Sequence, residues 1–141
     1  MTPLGQADST EGLFHRGVAV VLRKAGRVLL VQRSPDREWA PGAWDLPSGH
    51  IEGDEPEPQA AEREALEELG VVLELSPCSP LGRLEGDDFE ITYFVADSWS
   101  GEPQNAAPGE HACVAWFSAE ELGNLLLAGR KVLPLVRRAL S

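Results

Sequence analysis

The segment from Gly49 to Val71 constrains the fold most. It contains a glycine-rich turn followed by a predicted helix, and residues typical of helix ends stand at both ends of that helix. Pro56 and Pro58 stand near the first turn, where a helix tolerates proline. Gly70 follows at the position where the C-terminus of a helix favours glycine. These signals predict a helix over residues 58–69, entered from a loop and ended by a sharp turn.

Apolar and β-branched runs on both sides of this helix predict strands. The runs over residues 17–22 and 27–32 are separated by Lys24-Ala25-Gly26, which predicts a hairpin. Three further runs of this kind predict strands over residues 71–75, 89–96 and 111–117.

The end of the chain predicts more helix. Ser118-Ala119-Glu120-Glu121 has the residues of a capping box, which begins a helix, and a last helical segment covers about residues 130–140. Strands and helices mixed in 141 residues predict a single α/β (α+β) domain over residues 1–141. Residues 1–12 are expected to form a loose polar lead-in to that domain.

The charge balance excludes several classes of partner. The chain has 12 basic and 23 acidic residues, a net charge of −11, whereas proteins that bind nucleic acid polymers need clustered Lys and Arg. No apolar run approaches the roughly 18 residues that cross a bilayer, and the first residues lack the features of a signal peptide. We therefore expect no nucleic acid polymer, no membrane association and a cytoplasmic location.

The two cysteines give little functional information. Cys78 and Cys113 are far apart in the sequence, form no CxxC pair and have no neighbouring histidine suited to zinc. We expect two reduced thiols with a structural role.

Acidic side chains are concentrated on the predicted helix and the turn before it. Nine of the 23 acidic residues fall between Asp45 and Glu68, and Glu64, Glu67 and Glu68 share one helix face. Two interpretations stay open on composition alone. The face is either solvated, with Arg63 and Glu67 as an ordinary i,i+4 pair, or neutralised by a hard cation, which binds carboxylate oxygens.

The order of these residues resembles a known motif. Gly49, five residues, Glu55, seven residues and then Arg63-Glu64-Ala65-Leu66-Glu67-Glu68-Leu69-Gly70-Val71 match every fixed and aliphatic position of the Nudix box. If each fixed residue type has a frequency of roughly 7%, the probability that all seven fixed positions match by chance in one window is on the order of 10⁻⁸. The resemblance covers residues 49–71 and implies a Nudix fold, which is a mixed β-sheet sandwiched between α-helices.

The resemblance also implies roles for the box residues. Glu64, Glu67 and Glu68 would bind the metal and supply the base, and either Glu64 or Glu67 would take the proton of the attacking water. Arg63 would orient a carboxylate. The supporting residues would be Glu55 and Gly49, with the main-chain carbonyl of Ser48 in the metal shell.

Residues outside the box have two interpretations each. Arg33 matches a position where MutT-like members contact phosphate, or it is a surface arginine at a strand end. Glu110 is either an additional metal-binding carboxylate or a solvated loop residue. Aromatic side chains could stack on a base or belong to the core, and the candidates are Trp39, Trp44 and Trp116. His111 is expected to be a structural or surface group.

The resemblance implies a Mg²⁺-dependent hydrolase, with Mn²⁺ as a substitute ion, that cleaves a nucleoside diphosphate linked to another group. Features of the ADP-ribose, diadenosine polyphosphate, nicotinamide dinucleotide and coenzyme A subgroups are missing or incomplete, so the chain looks MutT-like. The expected substrate is a small nucleotide, a (deoxy)nucleoside triphosphate cleaved to the monophosphate and pyrophosphate. The alternatives are hydrolysis of ADP-ribose or another nucleotide-sugar or dinucleotide, and a Nudix-fold sensor with little turnover. The chain is expected to be a monomer or a homodimer.

Overall fold

The computed structural model describes residues 14–75 and 78–141, so the predicted lead-in over residues 1–12 lies outside the described residues. The seven strands of the described part are β1 His15–Lys24, β2 Arg27–Arg33, β3 Trp44–Asp45, β4 Ser48–His50, β5 Gly82–Glu85, β6 Phe89–Ala96 and β7 His111–Ser118. The helices are α1 Glu57–Leu69, α2 Ala119–Leu122 and α3 Leu133–Leu140, with a 3₁₀ turn at Arg130–Val132 before α3.

The sheet is mixed, because β1 pairs with β6 in parallel and the other ladders are antiparallel. The strand order is β3-β2-β1-β6-β5, with β4 paired to β1 and β7 paired to β2. β1 and β2 pair only next to their turn, where Arg23 lies opposite Val28 and Lys24 opposite Arg27. Farther from the turn, β1 pairs with β4 and β6, and β2 pairs with β3 and β7. The short strands β3 and β4 therefore lie between β1 and β2.

Alternate residues of β1 face two different cores, as the period of a strand requires. Val18, Val20 and Leu22 pack in a cluster with the small side chains of α1, which include Ala61, Ala65 and Leu69. Ala19 and Val21 pack in the second cluster, which contains Leu122 of α2 and residues of α3. The sheet is therefore sandwiched between helices, which confirms the predicted fold class.

Most of the predicted elements are confirmed. They are the hairpin of β1 and β2, the helix predicted over residues 58–69, which is α1, the strands β6 and β7, the capping box of Ser118 and the terminal helix. The prediction of a strand over residues 71–75 is wrong. Its side chains alternate between buried and exposed, but the segment forms only an isolated bridge from Val72 to Ser100. β5 was not predicted, and residues 48–50 form β4 where only a turn was expected.

Both cysteines are free, as expected, but both are exposed and therefore do not pack in a core. The thiol of Cys113 donates to Gln32 Oε1 at 3.2 Å. Among the residues that the structure describes, no helix combines the length and the apolar character that a membrane span requires.

Candidate active site

The ends of α1 fix the direction in which its carboxylates point. Pro56 precedes the first turn with extended backbone angles, and Gly70 ends the helix in the left-handed conformation at φ 71°, with its N–H donating to the carbonyl of Leu66. Within the helix, Glu64 and Glu68 lie one turn apart on the buried face and are each 2% exposed. The side chain of Glu67 is 52% exposed. The acidic face is therefore not simply a solvated one.

Arg63 connects the helix to the preceding loop. Its Nε and Nη2 donate to the two carboxylate oxygens of Glu55 at 2.9 and 3.0 Å, and Nη2 also donates to the carbonyl of His50 at 2.9 Å. Its Nη1 donates to Glu64 Oε1 at 2.8 Å and to Glu67 Oε1 at 3.2 Å. The hydrogen bond from Arg63 lowers the pKa of Glu55, and these carboxylates raise the pKa of Arg63.

Glu64 has one oxygen that is engaged and one that is not. Oε1 accepts from Arg63, whereas Oε2 is buried and has no hydrogen-bond partner in the described ranges. Burial raises the pKa of Glu64 to about 7 although Arg63 opposes the shift, and the charges of Glu67 and Glu110 contribute in the same direction as burial. A buried carboxylate oxygen without a donor is costly, and a bound cation removes that cost.

Glu68 lies next to residues of β4, of β7 and of the loop before β7. Its Oε1 accepts from the main-chain N–H of Ser48 at 3.0 Å, and its Oε2 lies 3.5 Å from Nε2 of His111. One ligand atom from each of Glu68, Glu110 and His111 lies within 4.8 Å of the others. Burial, together with the charges of Glu64 and Glu110, raises the pKa of Glu68 well above its usual value. This cluster fits a hard divalent cation, which would neutralise the crowded carboxylates.

His111 is a residue whose place in the site the sequence-based prediction missed. Its side chain is buried, and burial lowers its pKa to about 4, with Arg37 and Arg33 acting in the same direction. The ring is therefore neutral at pH 7, and its buried Nδ1 has no hydrogen-bond partner among the described residues. The available signal was its position directly after Glu110 at the start of β7.

Arg33 is not the surface residue that one interpretation assumed, because it is only 4% exposed. Its Nε donates to the carbonyl of Trp39 at 2.7 Å, and its guanidinium lies 4.8 Å from the centre of the Trp39 ring. The strand register places Arg33 opposite His111. Burial lowers its pKa, and Nη2 has no hydrogen-bond partner in the described part of the chain. A buried donor next to the acidic cluster suits an anion that the cluster itself would repel.

Ser48, whose main-chain N–H donates to Glu68, also lines a cavity of about 360 Å³. This volume lies near the lower end of the range for small-molecule sites. Residues of five strands, the loop before β3 and the segment before α3 line it: Ala19, Trp39, Asp45, Ser48, Leu84, Phe89, Ile91, Tyr93, Gly129, Arg130, Lys131 and Val132. Most of these side chains are apolar, and Asp45 supplies the only carboxyl group among them.

The three tryptophans considered for base stacking lie in different places. Trp39 lines the cavity. Trp44 packs edge-on against Phe117, with ring centres 4.9 Å apart, and Trp116 stacks on Trp99 at 6.0 Å. Trp39 is therefore the one of the three that the structure places at the cavity.

Comparison with known proteins agrees with this geometry. The family model for the NUDIX domain matches residues 13–137, and the chain belongs to the Nudix hydrolases. It is 30% identical over 106 residues to the CTP pyrophosphohydrolase of Escherichia coli K12, which covers 74% of this chain and 76% of the relative. It is 32% identical over 93 residues to the 8-oxo-dGTP diphosphatase of Proteus vulgaris, covering 63% and 80%.

Among solved structures, a MutT NUDIX hydrolase from Burkholderia pseudomallei superposes with a TM-score of 0.68. The two chains are 30% identical, and the match covers 75% of this chain and 84% of the other. The chain is therefore a Nudix enzyme, and the class that the motif implied is confirmed.

Proposed function

We propose that this Nudix hydrolase cleaves a (deoxy)nucleoside triphosphate to the monophosphate and pyrophosphate, with Mg²⁺ as its ion and Mn²⁺ as a substitute. One observation carries the proposal: Ser48 lines a base-sized cavity, and its main-chain N–H donates to Glu68 of the acidic cluster. The names of two relatives, a CTP pyrophosphohydrolase and an 8-oxo-dGTP diphosphatase, support this substrate class.

The ion is needed because both partners are acidic. The chain has a net charge of −11, and a triphosphate would approach a cluster of carboxylates. The residues that would hold the ion are Glu64, Glu67, Glu68, Glu110 and the carbonyl of Ser48. When bound, Mg²⁺ would polarise the attacked phosphoryl group and lower the pKa of the attacking water.

The protein side chains have separate tasks in the proposed reaction. The unpartnered Nη2 of Arg33 donates to a phosphate oxygen, and Arg63 holds Glu64 in place. Glu64 or Glu67 takes a proton from the attacking water while the oxygen of that water forms a bond to phosphorus. The phosphorus–oxygen bond that bridges the α- and β-phosphates breaks, and the product on its far side, either pyrophosphate or the monophosphate, leaves with the bonding electron pair.

The cavity receives the nucleobase in this proposal. Trp39 lines the cavity, and since the guanidinium of Arg33 lies over its ring, the base would stack on the opposite face. The cavity residues of β5 and β6 are mostly apolar, as one side of a stacked base requires. Arg130 and Lys131 at the exposed end of the cavity add positive charge to a mainly acidic surface. The base and the phosphates would thus lie in two adjoining compartments.

A hydrolysis screen with chromatographic separation of the products tests the proposal. The substrates are NTPs, dNTPs, an oxidised purine triphosphate, ADP-ribose and a dinucleotide polyphosphate, each with Mg²⁺, Mn²⁺ or a chelator. We expect a monophosphate and pyrophosphate from a triphosphate and no reaction with the chelator. Turnover of ADP-ribose or the dinucleotide alone would overturn the substrate class. Tight binding without turnover would favour a sensor.

The remaining properties are part of the same proposal. The substrate is a small nucleotide and no nucleic acid polymer or membrane takes part. The cytoplasmic location and the monomeric or homodimeric state remain predictions, which fractionation and light scattering would test.

A further inference from the structure

Asp45 is the second residue of β3 and its side chain belongs to the wall of the cavity. The main-chain N–H of Leu46 donates to its Oδ1 at 2.9 Å. Oδ2 receives no hydrogen bond from the described part of the chain. The cavity residues Leu84, Phe89 and Ile91 are apolar, and the cavity residues that carry donors, Tyr93, Arg130 and Lys131, make no hydrogen bond to that oxygen.

The surroundings disfavour the charged form of this carboxyl group. Burial raises the pKa of Asp45 to about 6, and the charge of Arg33 only partly offsets this effect. The charge of Asp45 in turn adds to the rise that burial causes in the pKa of Tyr93, another cavity residue. A carboxylate oxygen that the described residues leave without a donor, next to the candidate active site, is a candidate for substrate recognition.

We propose that Asp45 selects nucleotides whose base carries an exocyclic amino group, and disfavours uracil and thymine. This inference rests on the proposed function, because it assumes that the base occupies the cavity. An ionised carboxylate only accepts hydrogen bonds, and an amino group supplies the donor that Oδ2 lacks. Uracil and thymine present a carbonyl oxygen in place of an amino group, and two acceptors facing each other are unfavourable.

Two matched nucleotide pairs test the inference on the unaltered protein. CTP and UTP differ at the 4-amino group, and GTP and ITP differ at the 2-amino group. In the pair that is hydrolysed faster, we expect kcat/KM to be about 10- to 100-fold higher for the nucleotide with the amino group. This is the span that a hydrogen bond to a charged group supplies.

Asp45→Asn tests the residue itself. The amide offers one donor and one acceptor, so it accepts from N3–H of uracil and donates to its O4. We expect the CTP to UTP ratio of kcat/KM to fall to about 1 or below. Asp87→Asn, which removes the same charge from an exposed position between β5 and β6, should keep the ratio of the unaltered protein.

The outcomes separate the two proposals. If no triphosphate is hydrolysed, the proposed function fails. If triphosphates are hydrolysed with equal kcat/KM within both pairs, or if Asp45→Asn keeps the preference, the role of Asp45 is overturned and the proposed function stands. Circular dichroism checks folding, and Asp45→Ser, which also removes the charge, serves as the second variant and should likewise lose the preference.

Discussion

The guanidinium group of Arg63 contacts three of the box carboxylates at once. It binds both oxygens of Glu55 in the loop, one oxygen of Glu64 on the buried face, and the exposed Glu67. Two carboxylates one turn apart would repel each other without such a cation between them. The position of Arg63 therefore explains how the helix keeps these acids close together before an ion binds.

Glu67→Gln is expected to lower kcat by about 10²- to 10⁴-fold, the usual contribution of a group that transfers a proton. Folding should be unaffected, because the side chain is 52% exposed and an amide oxygen can still accept from Arg63. Steady-state kinetics and thermal unfolding measure the two effects. Glu120→Gln removes the same charge from an exposed residue of α2 and should change neither value. A large drop in Tm for Glu67→Gln would make the residue structural.

Asp45→Asn is expected to stabilise the protein at pH 8 and not at pH 4. The pKa of Asp45 is about 6 in the folded protein and 3.8 as its ordinary value, so folding favours the protonated form. The stability that protonation supplies is present below pH 3.8 and is lost as the pH rises through 6. At about 1.4 kcal/mol for each pKa unit, the variant should gain up to about 3 kcal/mol at pH 8. Urea unfolding at both pH values measures this, and an equal difference at both would contradict the burial argument.

The sequence was enough to predict that the box residues lie together on one loop and one helix, because the spacing of Gly49, Glu55 and Arg63 is local. The burial of Arg33 depends on β7 lying opposite β2, which is a long-range pairing. The approach of His111 to Glu68 depends on the same pairing. Neither could be deduced from the neighbouring residues in the sequence.

At the scale of elements, the same division applies. The hairpin and α1 were predicted because their signals are local: a short turn between apolar runs, and proline and glycine at the helix ends. β5 is four residues long and exists through its pairing with β6, which a short stretch of sequence does not reveal. Residues 71–75 have the alternation of a strand but lack a continuous partner. Periodicity indicates which side chains are buried, and pairing decides whether a strand forms.

The C-terminal end of α1 gives a prediction at this scale. Gly70→Ala should lower the free energy of unfolding by about 1–2 kcal/mol, because an L-residue is strained at φ 71°. A Cβ at this position would also lie 3.3 Å from Nε2 of Gln104. Gly129→Ala is the matched control, since its φ is −147° and a Cβ there would meet no atom within 4 Å. Urea unfolding compares the two, and equal effects would contradict the assignment of strain to Gly70.

At the scale of the whole molecule, the fold brings acidic side chains from distant elements to one place in a chain of net charge −11. Glu64 and Glu68 come from α1, whereas Glu110 comes from the end of the loop before β7. Burial raises the pKa of both helix residues, so their charged forms oppose folding at pH 8. In the proposed function, a site assembled in this way would gain its binding strength for a cation at the expense of the stability of the cation-free protein.

Mg²⁺ should therefore raise the Tm of the protein without nucleotide present. An ion that binds only the folded state adds about 2.7 kcal/mol at a concentration 100 times its Kd, and each kcal/mol raises the Tm of a domain near this size by about 2–4 °C. Glu68→Gln should differ from the unaltered protein in two respects, its Tm without the ion and its response to Mg²⁺. Its Tm without the ion at pH 8 should be higher than that of the unaltered protein, because a buried charge is gone. Its response to Mg²⁺ should be much smaller, because a ligand is gone.

Differential scanning fluorimetry at pH 8 across a MgCl₂ titration measures both effects, with the ionic strength held constant by NaCl. Glu120→Gln carries the same change in net charge and should keep the full response to Mg²⁺, which separates binding at the cluster from general screening. An equal response in Glu68→Gln would place the ion elsewhere. A lower Tm for this variant without Mg²⁺ would mean that the contacts of the carboxylate with Ser48 and His111 stabilise the fold more than its burial destabilises it.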